Sequence, residues 1–325
     1  MNTSLIAALD PSALYAKSQV YIGRGLRAKA AGEIDEYQLW ASLALELLSK
    51  SALSRVHPAL VADPTDFNSL FAACGRQITP DVRTIAAKTV FQRLPHLTKE
   101  FDARYKEFCE QLAIRRNSEL HSGDSPFSGM RADAWEMEFW GAIEVILNCQ
   151  EKSLDGWVGA YDAKRSGKII EKAKEALDWA VKNRVERAKV GFEEQNKDPK
   201  KRAILVEKSE LADWHEVAGR GASDFDDVER HACPACGGSA FLAGQFWSEE
   251  IVETHEGWSS YDDHDSYGEP PWEKVEEVYR VDWVICPLCK LQLHGSRENR
   301  AAGLPEEFRK VEQRIQEYEP DYGND

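Results

Sequence analysis

Apolar positions follow two different rhythms along the chain. As far as about residue 215 they recur every three or four residues, the period of a helix buried on one side. Beyond about residue 228 they alternate with polar residues, the period of a half-buried strand. Asp10-Pro11 pairs a capping carboxylate with proline at the first helical position and predicts a helix toward Lys29, interrupted at Gly23-Arg24-Gly25. Leu39, Leu43, Leu47 and Leu53, flanked by Trp40 and Leu48, predict a second helix over Ile34 to Val56, stopped by His57-Pro58. Shorter helices are expected at Asn68 to Gly75 and Pro80 to Phe91. A long one is expected from Pro95, through Leu97, Phe101, Tyr105, Phe108 and Leu112, fading at Ser122-Gly123. Another spans about Ala132 to Gln150, and a charged helical stretch runs from Ala163 to about His215 with a break near Asn196-Lys197-Asp198-Pro199. Gly219 to Asp227 has linker composition. Strands are expected at Ala240 to Thr254 and Val275 to Ile285, separated by a polar loop from His255 to Pro271, and an amphipathic helix at Pro305 to Tyr318.

These elements predict a mainly α protein, a helical bundle followed by a β-rich module. The expected divisions are 1–152 for the bundle, 153–218 for a charged helical connector, 228–300 for the β module and 301–325 for a helix and acidic tail. No apolar run approaches the roughly 20 residues that cross a bilayer, and the N-terminus lacks the basic start of a secretory signal. A cytoplasmic protein without a membrane partner is expected.

The net charge of −15 weighs against broad affinity for nucleic acid, but it is unevenly spread. From Lys164 to Arg202 there are 13 basic and 7 acidic residues; from Ala203 to Ile285 there are 20 acidic and 5 basic. The basic segment is a candidate guide for an RNA backbone or an ordinary solvated helix face.

Four of the seven cysteines form two matching knuckles, Cys233-Pro-Ala-Cys236 and Cys286-Pro-Leu-Cys289. Each C-x-x-C turn presents two thiolates to one side, and two turns complete a tetrahedron of the kind that holds zinc. The expected cofactor is one structural zinc ion in a zinc ribbon, closed to catalysis because no coordination position is left open. The 49 residues between the pairs imply an insertion. His255 and His264, with Asp262, Asp263 and Asp265, are a candidate second metal site or an ordinary solvated loop. Cys74, Cys109 and Cys149 read as core thiols.

The remaining chemistry lies in Arg115-Arg116-Asn117-Ser118-Glu119-Leu120-His121. Metal-free RNA cleavage needs a base for the 2′-hydroxyl, an acid for the leaving 5′-oxygen and a cation for the crowded phosphate. Histidine serves either proton role near neutrality, and arginine matches phosphate oxygens with a fixed charge. Asn117 and His121 are one helical turn apart, so the amide can orient the imidazole. Arg116 and His121 lie about 140° apart on an ideal helix and converge only if the helix ends or bends between them.

With its Arg116-Asn117 and the His121 that follows, the segment resembles the HEPN superfamily of all-helical RNases and nucleotide-binding modules, marked by R-x(4–6)-H. Glu46-Leu-Leu-Ser-Lys50-Ser-Ala-Leu53 is similar to their first core helix. The resemblance covers about residues 1 to 150. It implies a metal-independent endoribonuclease working as a homodimer, with two motifs in one cleft and a 2′,3′-cyclic phosphate product. His121 would be the acid and base, Arg116 the phosphate stabiliser and Asn117 the orienting residue, with Arg115 holding substrate and Glu46 assisting. It also implies RNA as partner, such as tRNA or phage or host transcripts, and a setting as toxin or anti-phage effector. The alternative is a non-catalytic adaptor that binds nucleic acid or protein through the ribbon.

Overall fold

The computed structural model describes residues 6–256 and 271–315. Its chain is mainly α with a β-rich C-terminal part and divides into two compact units, Met1–Trp179 and Ala180–Asp325.

The first unit opens with α1 (Pro11–Ala31). The Asp10 carboxylate caps it by accepting from the backbone N–H groups of Ser12 and Ala13, and Gly32, in the left-handed region at φ 84°, ends it. The expected interruption at Gly23-Arg24-Gly25 is absent, and α1 runs through it. Gly25 is needed for packing instead. A Cβ there would stand 3.2 Å from Tyr37 Cδ2 and 3.3 Å from Trp40 Cβ, so the bare glycine lets α2 (Ile34–Val56) lie close against α1. Leu45, Leu48 and Leu53 of α2 are fully buried, each burial stabilising by about 1.5–3 kcal/mol.

Two short helices follow, α3 (Phe67–Ala73) and α4 (Ala87–Arg93). The expected helix from Pro80 begins only at Ala87, because the chain before it is extended: Thr84 bridges to Ala62, and the Ile85 N–H donates to the Val61 carbonyl. The long helix expected from Pro95 is α5 (Ala103–His121). Leu94–His96 forms a separate 3-10 turn, and the buried Asp102 carboxylate starts α5 by accepting from the Tyr105 N–H. The helices α6 (Glu136–Asn148) and α7 (Leu154–Val158) complete the core around Trp140, Phe139, Phe91 and Phe101.

The charged stretch is α8 (Ala160–Gln195), whose course crosses the division between the units, then α9 (Pro199–Lys208), capped by Asp198. The break falls where Asp198-Pro199 reads as a cap and first turn. In the second unit α10 (Trp214–Ala218) leads to a 3-10 turn at Gly219–Asp224, part of the expected linker, and then to β1 (Asp227–Ala232).

The sheet is antiparallel throughout. The strands β1, β2 (Ser239–His255), β3 (Trp272–Ile285) and β4 (Gln292–His294) lie in that order. After α11 (Gly295–Ala301) the chain returns as β5 (Glu307–Ile315). The edge of β3 is shared: Trp283–Ile285 pairs with β4, and Trp272–Arg280 pairs with β5.

The strand β5 corrects the helix expected over Pro305 to Tyr318, whose last residues lie outside the described ones. Phe308, 4% exposed, is its anchor, stacked on Tyr279 at 5.1 Å between centroids. Arg309 pairs with Glu276, and Arg314 with Glu249 and Glu277, across the neighbouring strands. A helix would give up both the ladder and these pairs. Among the described residues, no helix is long and apolar enough to cross a membrane.

Candidate functional site

The four knuckle cysteines come together. Cys233 Sγ lies 3.6 Å from Cys289 Sγ and Cys236 Sγ 3.5 Å from Cys286 Sγ, all four sulfurs lying within 4.8 Å of one another. A tetrahedron with metal–sulfur bonds of about 2.3 Å has sulfurs about 3.8 Å apart, whereas a disulfide needs about 2.05 Å. The donor set therefore suits a metal ion, zinc included.

The two turns are built alike. After Cys236, Gly237 takes φ 73°, its N–H donating to the Cys233 carbonyl at 2.9 Å. After Cys289, Lys290 takes φ 59°, its N–H donating to the Cys286 carbonyl at 3.1 Å. A hydrogen bond with Cys233 pushes Cys236 far below the usual thiol range, while hydrogen bonds with Cys233 push Cys286 and Cys289 above it. An entering cation would offset the mutual repulsion of four thiolates held this close. His294, exposed and stacked on Trp283, is not in the cluster. His255 stacks on Trp272, while His264, Asp262, Asp263 and Asp265 lie outside the described residues.

No protein-family model, no curated protein and no solved structure matches this chain.

The Arg–His segment forms the last two turns of α5. Arg116 points toward α2, its side chain 13% exposed, and Nη2 meets Glu46 Oε2 at 2.9 Å. The other oxygen of Glu46 meets Lys50 Nζ at 2.8 Å, and Lys50 also donates to Thr84 Oγ1 at 3.0 Å. Arg116 is thus one end of a row, Arg116–Glu46–Lys50–Thr84. Its Nε is buried and meets no hydrogen-bond acceptor among the described residues. The sequence singles out Glu46, and the structure pairs it with Arg116; Lys50 and Thr84 are not singled out there, although Glu46 and Lys50 stand at the i,i+4 spacing of a helical ion pair.

Asn117 and His121 are exposed. The helix continues through His121, where Ser122 closes it by donating its N–H to the Ser118 carbonyl, so the condition for Arg116 and His121 to converge within one chain is not met. A cluster of Ser118, Ser122 and Asp124 hydrogen bonds fixes the turn after His121. Arg115, half-buried, reaches Met130 Sδ at 3.4 Å. One chain therefore unites Arg116 with Glu46, sets Asn117 and His121 on the surface one turn apart, and keeps the two groups on different faces of α5.

Proposed function

We propose that the helical unit is a metal-independent endoribonuclease of HEPN type that acts as a homodimer, and that the four cysteines hold a structural zinc in a ribbon. What supports this most is the division of α5: a guanidinium braced by Glu46 on one face, and Asn117 and His121 exposed one turn apart on another. A single chain offers one histidine, and two copies offer the two proton-transfer groups that RNA cleavage requires.

One His121 takes the proton of the 2′-hydroxyl, and that oxygen attacks the phosphorus. The His121 of the other copy protonates the departing 5′-oxygen, leaving a 2′,3′-cyclic phosphate and a free 5′-hydroxyl. Arg116, which Glu46 keeps from swinging away, balances the charge on the phosphate, and Arg115 holds the neighbouring backbone. Asn117 orients the imidazole. A toxin or antiviral role would suit such chemistry.

A second reading has its own observation. Trp214, Phe225 and Trp283, all half-buried, cluster with His294 in the second unit, and Arg230 lies over Phe241. Partly exposed aromatic and arginine surfaces stack nucleic-acid bases, which favours an adaptor that only binds.

The two readings separate in magnesium-free buffer containing a chelator too weak to strip the ribbon. Wild type should cut RNA but not DNA of the same sequence. His121→Ala should lose about 100-fold or more of the rate, and Arg116→Lys should lose rate while retaining wild-type melting. RNA binding without cleavage would favour the adaptor.

A further inference from the structure

A cleft on the first unit is used by neither the metal centre nor the Arg–His segment. It has a volume of about 380 Å³ and is formed by α1, α6 and the first turns of α8. That is within the range of about 300–1,000 Å³ typical of small-molecule sites. Trp140, fully buried, and Ser166, 3% exposed, underlie it. Leu26, Ala30 and Ile169 supply an apolar wall.

The charged groups set the ligand. Lys29 lines the cleft but is already matched, since it pairs with Glu136, which also accepts from the Tyr37 hydroxyl at 2.8 Å. Burial and the adjoining Glu136 hold the Tyr37 phenol well above its ordinary pKa, so it stays a donor. Arg165, Lys168 and Lys172 are different. They follow one another at three and four residues along α8, on a single helix face, and none forms an ion pair with a carboxylate among the described residues. Arg165 rests on the Tyr161 ring at 5.7 Å. Asp162 is the one carboxylate lining the cleft, so these three cations leave two positive charges unmatched.

We infer that this cleft binds a small phosphate monoester whose organic part is apolar or flat. A phosphomonoester carries about −1.5 to −2 charges near neutrality, which meets the surplus. Arg165 and the two lysines receive its oxygens, and its body lies along Leu26, Ala30 and Ile169. A single concave site of this size takes a small molecule rather than the extended backbone of a nucleic acid, which tracks along a groove.

Calorimetric titration of the full chain with adenosine monophosphate and with hexyl phosphate tests this, with inorganic phosphate and adenosine as controls. At least one ester should bind saturably at one site per chain, about tenfold or more tighter than either control. The triple variant Arg165→Ala/Lys168→Ala/Lys172→Ala should weaken that binding about tenfold or more. Lys168→Met keeps the aliphatic stem and should weaken it in the same direction, which guards against loss of folding. Ile169→Ser should weaken the ester and leave inorganic phosphate unchanged. Four results would overturn the site: neither ester binding, an ester no tighter than inorganic phosphate, binding unaltered in the triple variant, or affinity confined to a single-stranded RNA oligonucleotide.

Discussion

Single residues set the candidate chemistry in both units. The C-x-x-C pairs are legible in sequence because a turn of that length admits few geometries, and the sulfurs meet as the spacing requires. Lys290 shows what spacing does not reveal: it takes the left-handed conformation that Gly237 adopts in the sister turn, held there by the ladder on either side of the knuckle. The three remaining thiols differ in environment although they read alike in sequence. Cys74 is exposed rather than in the core, whereas Cys109 is buried, and burial pushes its pKa well up. Cys149 is exposed as a residue, yet burial of its thiol raises the pKa to about 11, and its sulfur donates to the Ile146 carbonyl at 3.2 Å. Since only the thiolate is nucleophilic, Cys149 should be alkylated slowly at pH 7, its rate climbing as pH rises toward 11. Site-resolved mass spectrometry after iodoacetamide pulses checks this, and a rate that levels off by pH 9 would contradict it.

At the scale of elements, legibility depended on whether the deciding contacts were local. Asp10-Pro11, Asp198-Pro199 and the leucine stripe of α2 carry their own signals, and helices form there. The strand β5 carries none. Glu307-Phe-Arg-Lys-Val-Glu-Gln-Arg-Ile315 fits either period, and its state is settled by pairing with Trp272–Arg280 of β3, far away in sequence. The start of α5 is misplaced for a different, local reason: Leu94–His96 forms a 3-10 turn of its own, and the buried Asp102 rather than Pro95 makes the effective cap. Phe308 pins β5 to the sheet over Gly244, where a Cβ would come within 2.8 Å of its ring. Phe308→Ala should therefore cost the second unit about 3 kcal/mol, measured by urea titration of its tryptophan fluorescence. A loss below about 0.5 kcal/mol, the level of an ordinary surface substitution, would mean that β5 is not anchored there.

Across the whole molecule, the cysteine cluster and the large apolar core belong to different units. The cysteines join β1–β2 to β3–β4, while the large apolar cluster of the first unit is complete without them. Stripping the metal with a strong chelator and reductant should abolish the near-ultraviolet signal of Trp283 and its aromatic neighbours. Most of the helical signal at 222 nm should remain. Collapse of both signals together would show that the units do not fold separately. The uneven charge was legible from sequence, but the unmatched cations of the α8 cleft were not, since only α1 and α6 packed beside them make a cavity.

If the helical unit cleaves RNA as proposed, the α5 geometry, with Arg116 braced inward and His121 exposed, requires two chains rather than one for catalysis. The most direct test is the rate of RNA cleavage per chain across a dilution series, set against the monomer–dimer balance measured by sedimentation velocity in the same buffer. A dimeric site predicts that the rate per chain falls in step with the dimer fraction. A rate per chain that holds constant into the monomeric range, or no cleavage where the dimer is fully formed, would contradict it.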